Sequence, residues 1–126
     1  MKNTLAFIGL TFVSLSLASA LAHANEAAQA KYQSCAACHG DAAQGNTELN
    51  APALAGQDAA YLARQLQHFK AGIRGADPRD TQGAQMKAMA ATVSDEDILV
   101  IAEYLATLPT PVLTPEISGD LKNGNN

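Results

Sequence analysis

Tryptophan is missing from this 126-residue chain, and of its three phenylalanines only Phe69 lies beyond residue 24. Runs in which β-branched residues alternate with polar ones are also lacking, so no strand pattern competes with helix. The sequence holds no internal repeat and no basic stripe of the kind that neutralises phosphates. With Lys2 set aside, seven basic residues face twelve acidic ones, a formal charge of −5. That balance argues against a nucleic-acid role and suits a partner with a positive docking patch. Cysteine is the scarcest reactive residue: the chain has two, Cys35 and Cys38.

The first residues read as a secretory leader. Lys2 supplies the positive end, Leu5 to Leu17 is apolar apart from small polar breaks that include Ser14 and Ser16, and Ala22-His23-Ala24 fits a signal-peptidase site. The apolar run is shorter than the ~20 residues that span a bilayer. Cleavage after Ala24, or four residues earlier after Ala18-Ser19-Ala20, is expected and places the protein in the periplasm. Residues 25–126 then number 102, enough for one small core. The expected division is a leader over 1–24, one domain over 25–108 and a flexible tail over 109–126, the last rich in proline, glycine and asparagine.

Three helices are expected. Asn25 to about Gln33 is alanine-rich. Asp58 to Lys70 places Leu62, Leu66 and Phe69 on one face, with Asp58 as N-cap and Gly72 just past the end. Ser94-Asp95-Glu96-Asp97 forms a capping box, after which Ile98, Ile101, Ala102, Leu105 and Leu108 recur at helical spacing until Pro109. Between them, 40–57 and 71–93 read as long irregular stretches, and loops of that length usually wrap something. The helices carry too little apolar bulk to fill a core alone. A large apolar group is expected to complete it.

The stretch Ser34-Cys35-Ala36-Ala37-Cys38-His39-Gly40 offers three chemistries: a redox dithiol, part of a zinc site, or attachment of haem. A structural disulfide across two residues would close too small a loop to stabilise much. Zinc needs three or four protein ligands, and beyond this cluster only His68 remains past the leader. A thioredoxin-like dithiol belongs beside a βαβ unit, and here the motif follows a helix. C-x-x-C-H fits c-type haem. Each thiol adds across one vinyl group on a single haem edge, and the next residue, His39, faces the iron as proximal ligand.

A soft thioether is the usual sixth ligand of an electron-carrying haem. Met86 and Met89 both precede the last helix, and their spacing of three leaves either as the ligand. From "YQSCAACHG", "APALAGQDAAYLARQLQHFKAGIR" and "MKAMAATVSDEDILVIAEYLATL", the chain resembles a class I cytochrome c of the single-haem c-553 type, or one half of a di-haem cytochrome c4. The resemblance implies an all-α class I cytochrome c fold, with about three main helices and long loops around one covalent haem c and its iron. It selects Met86, eight residues before Ser94, as axial ligand. It also implies that Pro52 offers its carbonyl to the His39 imidazole, and that Ala30 stands where the first helix crosses the last near Tyr104 or Leu105. His68 reads as a surface residue, and Arg64, Arg74 and Arg79 as solvated charges, although a guanidinium suits a haem propionate.

The function expected is electron carriage between transiently docked redox proteins, without a small-molecule substrate or catalytic residues. The chain could also serve as a fixed subunit of a larger respiratory or dehydrogenase complex. The alternatives are a haem enzyme or gas-binding protein with an open distal face, and a haem-free dithiol oxidoreductase.

Overall fold

The computed structural model describes residues 5–112, with side chains from residue 22 onward. The expected tail beyond Val112 and the first four residues of the leader lie outside the described residues. Four helices follow in order: α1 (Leu5–His39), α2 (Ala59–Lys70), α3 (Thr81–Ala91) and α4 (Asp95–Thr107). The only β pairing among the described residues is a single antiparallel bridge between Asn46 and Ala51.

Helix α1 is longer than the alanine-rich segment alone. It runs unbroken through Ala24 and continues through both cysteines to His39. Gly40 ends it, with φ +84°, a left-handed conformation that glycine adopts at little cost. Among the described residues no helix is long and apolar enough to cross a membrane.

Asp58 caps α2 by accepting the Tyr61 N–H at 2.8 Å, and Ser94 caps α4 by accepting that of Asp97 at 3.0 Å. Each such cap stabilises its helix by about 1 kcal/mol. The expected apolar faces are the ones that pack. Leu62 and Phe69 of α2 are buried, as are Ile98, Ile101, Ala102 and Leu105 of α4; Leu66 and Leu108 pack half-buried against them.

Two expectations need correction. Residues 81–91 lie within the stretch read as irregular, yet they form α3. Asp80 caps it by accepting the Gly83 N–H at 2.7 Å. The helix buries only Gly83 and Ala90, too little to mark an apolar face in the sequence. The second correction concerns α1. Ala30 faces solvent, and the buried stripe of α1 is Ala28, Tyr32 and Ala36, one turn apart.

The helices pack α1 on α4, α4 on α2 and α2 on α3; α1 and α3 do not touch. The core between them is built largely of small residues. Seven of its thirteen buried apolar side chains are alanine, and only Tyr32, Ile98 and Leu105 are large and fully enclosed. Tyr32 packs its ring 6.0 Å from that of Tyr104, inclined by 47°, across the α1–α4 contact. The Lys31–Asp97 ion pair closes the same contact at the surface.

Candidate functional site

Because α1 continues through the cysteine motif, Cys35, Cys38 and His39 stand at i, i+3 and i+4, neighbouring positions on one helical face. Their surroundings differ. Cys35 is half-buried against the core, where burial pushes its thiol pKa up, and its Sγ lies 3.9 Å from the Ser34 hydroxyl. Cys38 is exposed, and both are free thiols. His39 is 4% exposed, the one buried polar side chain among the described residues.

The Nδ1 of His39 is 2.9 Å from the carbonyl oxygen of Pro52. A carbonyl only accepts, so Nδ1 donates its proton to Pro52 and Nε2 is the nitrogen left to meet a metal. The imidazole is therefore held in the tautomer a metal requires, with its outer nitrogen engaged as second-shell partners usually engage it.

The Pro52 segment is fixed by its own backbone. Asn46 and Ala51 exchange both N–H···O bonds at 2.9 Å, and Gly45 donates to the His39 carbonyl at 2.8 Å. Gly45 has φ +85°, and a Cβ there would lie 2.7 Å from the Ala53 nitrogen. The close approach of the two backbones thus requires glycine.

Met86 and Met89 ride on α3, the helix that does not touch α1. Met86 is half-buried, whereas Met89 is 39% exposed. The helix that carries the motif is linked to α3 only through α4 and α2. The three arginines have protein partners. The Arg74 guanidinium lies 4.3 Å from the Phe69 ring centroid and bonds Gln65 at 2.6 Å. That of Arg64 lies 5.8 Å from the Tyr61 centroid, and Arg79 pairs with Asp77. His68 is half-buried, and its carbonyl accepts the N–H groups of Ile73 and Arg74.

The donor set fits a covalent haem: two thiols and an imidazole on one helical face, the imidazole buried with Nδ1 engaged by Pro52 and Nε2 left to ligate. It does not fit a protein-only metal centre, because no three His, Cys, Asp or Glu residues gather as ligands among the described residues. A shallow groove of about 260 Å³ between α2 and α4 is lined by Ala59, Ala60, Ala63, Leu99, Ala102 and Glu103. It contains no residue of this cluster. One contributor was not legible as such in the sequence: Tyr32, whose hydroxyl donates to the Gly40 carbonyl at 2.7 Å. No spacing in the sequence singles it out, because alanines stand at 27, 28, 30, 36 and 37 alike.

Comparison with known proteins agrees with this chemistry. The profile of the cytochrome c family matches residues 25–109. The chain is 42% identical over 74 residues to a thiosulfate dehydrogenase electron acceptor of Stutzerimonas stutzeri, covering 59% of this chain and 32% of that protein. It is 38% identical over 74 residues to cytochrome c4 of Azotobacter vinelandii, covering 59% and 34%. The chain thus spans about a third of the length of these curated relatives. Against cytochrome c-554(548) of Halomonas halodenitrificans it is 37% identical over 81 residues, 64% of this chain and 92% of that one. The crystal structure of reduced recombinant cytochrome c4 from Pseudomonas stutzeri superposes with a TM-score of 0.52 at 39% identity, covering 60% of this chain and 38% of that one. With an all-α fold of the class I type and a buried histidine behind two thiols, this chain belongs to the cytochrome c family, whose cofactor is a covalently bound haem c with its iron.

Proposed function

We propose that the chain is a periplasmic electron carrier, its haem attached through Cys35 and Cys38 and ligated by His39 and Met86. When bound, the haem supplies a one-electron couple between ferrous and ferric iron. The observation that carries the reading is the 2.9 Å bond from His39 to Pro52, which leaves Nε2 as the nitrogen free to ligate.

The protein's part is to hold that nitrogen still. Burial of His39 keeps water from its ring, and the Pro52 carbonyl fixes both tautomer and orientation. Met86 is favoured over Met89 because it is the more enclosed of the two. Two protein ligands would leave little to rearrange when an electron arrives or departs. Exposed Cys38 marks the edge at which a partner would approach. Contacts of this kind are small and short-lived.

The relatives named as electron acceptors of thiosulfate dehydrogenase support a dehydrogenase as electron donor. The acidic surface suits a basic patch on such a partner. No small-molecule substrate is assigned, and the leader over 1–24 is the route to the periplasm. The test is the visible spectrum of the reduced, haem-loaded protein before and after carbon monoxide. A c-type spectrum unmoved by the gas is expected; prompt binding of the gas would replace the carrier reading with an open-site haem protein.

A further inference from the structure

We propose that Tyr32 is a positioning residue for His39: its hydroxyl fixes the turn that carries Pro52 to the imidazole. The inference rests on the reading of His39 as an iron ligand.

Tyr32 is fully buried and stands seven residues, about two turns, before His39 on α1. A phenol so enclosed must find a partner. It finds the Gly40 carbonyl at 2.7 Å, immediately behind His39. The same carbonyl accepts the Ala43 N–H at 2.9 Å, so both of its lone pairs are used. Ala43 is itself fully buried with φ 54°, a conformation alanine seldom adopts unless its surroundings impose it. Its carbonyl in turn accepts the N–H groups of Leu54 and Ala55 at 2.9 and 3.1 Å. Those residues follow Pro52, whose carbonyl receives the His39 Nδ1–H.

The bonds form a closed circuit: from Tyr32 to the 40–43 turn, on to 54–55, back through Pro52 and into His39. Apart from the imidazole, the Tyr32 hydroxyl is the side-chain group that links α1 to it; Gln44 Oε1, which accepts the Ala42 N–H, and Gln57 Nε2, which donates to the Ala53 carbonyl, brace the turn and the segment locally. The circuit sets how near the Pro52 carbonyl comes to Nδ1, and a closer acceptor raises the basicity of Nε2. Removal of the hydroxyl leaves Gly40 with one donor and lets the turn drift outward. The imidazole then becomes a weaker donor, ferric iron is less favoured and the reduction potential rises. Tyr104 packs on the Tyr32 ring but has no place in the circuit, which makes it the natural control.

The experiment compares haem-loaded wild type with Tyr32→Phe, Tyr104→Phe and Ile98→Val. Midpoint potential and amide hydrogen exchange are read for each. Tyr32→Phe is expected to keep the c-type spectrum, raise the potential and speed exchange at Ala43, Leu54 and Ala55 by tenfold or more relative to Leu66 in α2. Tyr104→Phe and Ile98→Val are expected to leave the potential in place. An unmoved potential in Tyr32→Phe, or an equal rise in Ile98→Val, overturns the proposal while the haem reading stands. If Tyr32→Phe does not accumulate, fluorotyrosine is introduced at position 32 with Tyr61 and Tyr104 replaced by phenylalanine. This keeps the fold and strengthens the phenol as a donor, so the potential should fall; no shift overturns the proposal. A wild-type protein without a c-type spectrum would overturn the reading of His39, and this inference with it.

Discussion

The Lys70 ammonium donates to the Val93 carbonyl at 2.6 Å and to the Asp95 carboxylate at 2.7 Å, joining the end of α2 to the start of α4. Val93 lies in the turn between α3 and α4, so one side chain from α2 anchors the entry to the helix that supplies four of the thirteen buried apolar side chains. Lys70→Met keeps the aliphatic stem and removes both bonds. A loss of about 1–2 kcal/mol is expected, read as a lower midpoint in thermal or denaturant unfolding of the haem-loaded protein. A variant as stable as wild type would show the clamp to be idle.

Lys31 and Asp97 make the corresponding tie between α1 and α4. The hydrogen bond from Lys31 holds the Asp97 carboxyl below the usual carboxylate range, and the bond to Asp97 raises the Lys31 pKa. A depressed carboxylate stabilises the fold above its unfolded pKa, and that stability is lost as pH falls through the folded value. For the raised lysine the stability is present below its unfolded pKa and lost as pH rises through the folded one. Asp97→Asn is therefore expected to flatten the acid limb of the stability profile, with a smaller effect in high salt because both partners are exposed. An unchanged acid limb would refute the assignment.

Gly45 allows the backbone that holds Pro52 to pass close to 51–53. Gly45→Ala adds a methyl at φ +85°, pressed against the Ala53 nitrogen. The conformation alone costs roughly 1–2 kcal/mol, and the contact adds to it. Stability and the yield of haem-loaded protein should both fall, measured by unfolding and by haem absorbance per chain. Full yield with wild-type stability would mean the loop can open without harm.

Met86→Ala is expected to let carbon monoxide bind the reduced protein promptly, whereas Met89→Ala, at an exposed site, should leave it unreactive. The reverse pattern would assign the ligand to Met89.

Much of this arrangement is written in the sequence. The capping residues Asp58 and Ser94 were legible because their side chains act on the N–H three residues on, a purely local device. The faces of α2 and α4 were legible because large apolar residues recur at helical spacing. Helix α3 was not, since what it buries is Gly83 and Ala90, and small residues leave no periodic trace. Nor was the face of α1: alanines stand at 27, 28 and 30 alike, and only the packing of Tyr32 distinguishes Ala28 from Ala30. The cysteine motif declared its chemistry through spacing. The link from Tyr32 to Gly40 could not be read, because it depends on how the chain turns after α1 ends.

The alanine-rich core has a consequence for which mutations the protein can survive. In most interiors the damaging substitutions are truncations, which leave cavities. Here Ala28, Ala36, Ala43, Ala55, Ala63, Ala90 and Ala102 have almost nothing to lose. Harm at those positions comes from enlargement, because added methylenes must find room among enclosing neighbours; Ala63 and Ala102, which border the groove between α2 and α4, have the most room. The interior is thus bounded from above: a saturation scan would find Ala28, Ala36, Ala43, Ala55 and Ala90 closed to valine and leucine, while Ile98, Ile101 and Leu105 would be closed to alanine. Such a protein can drift in sequence mainly across its surface, and its spacing between helices is held by the absence of side chains as much as by their presence.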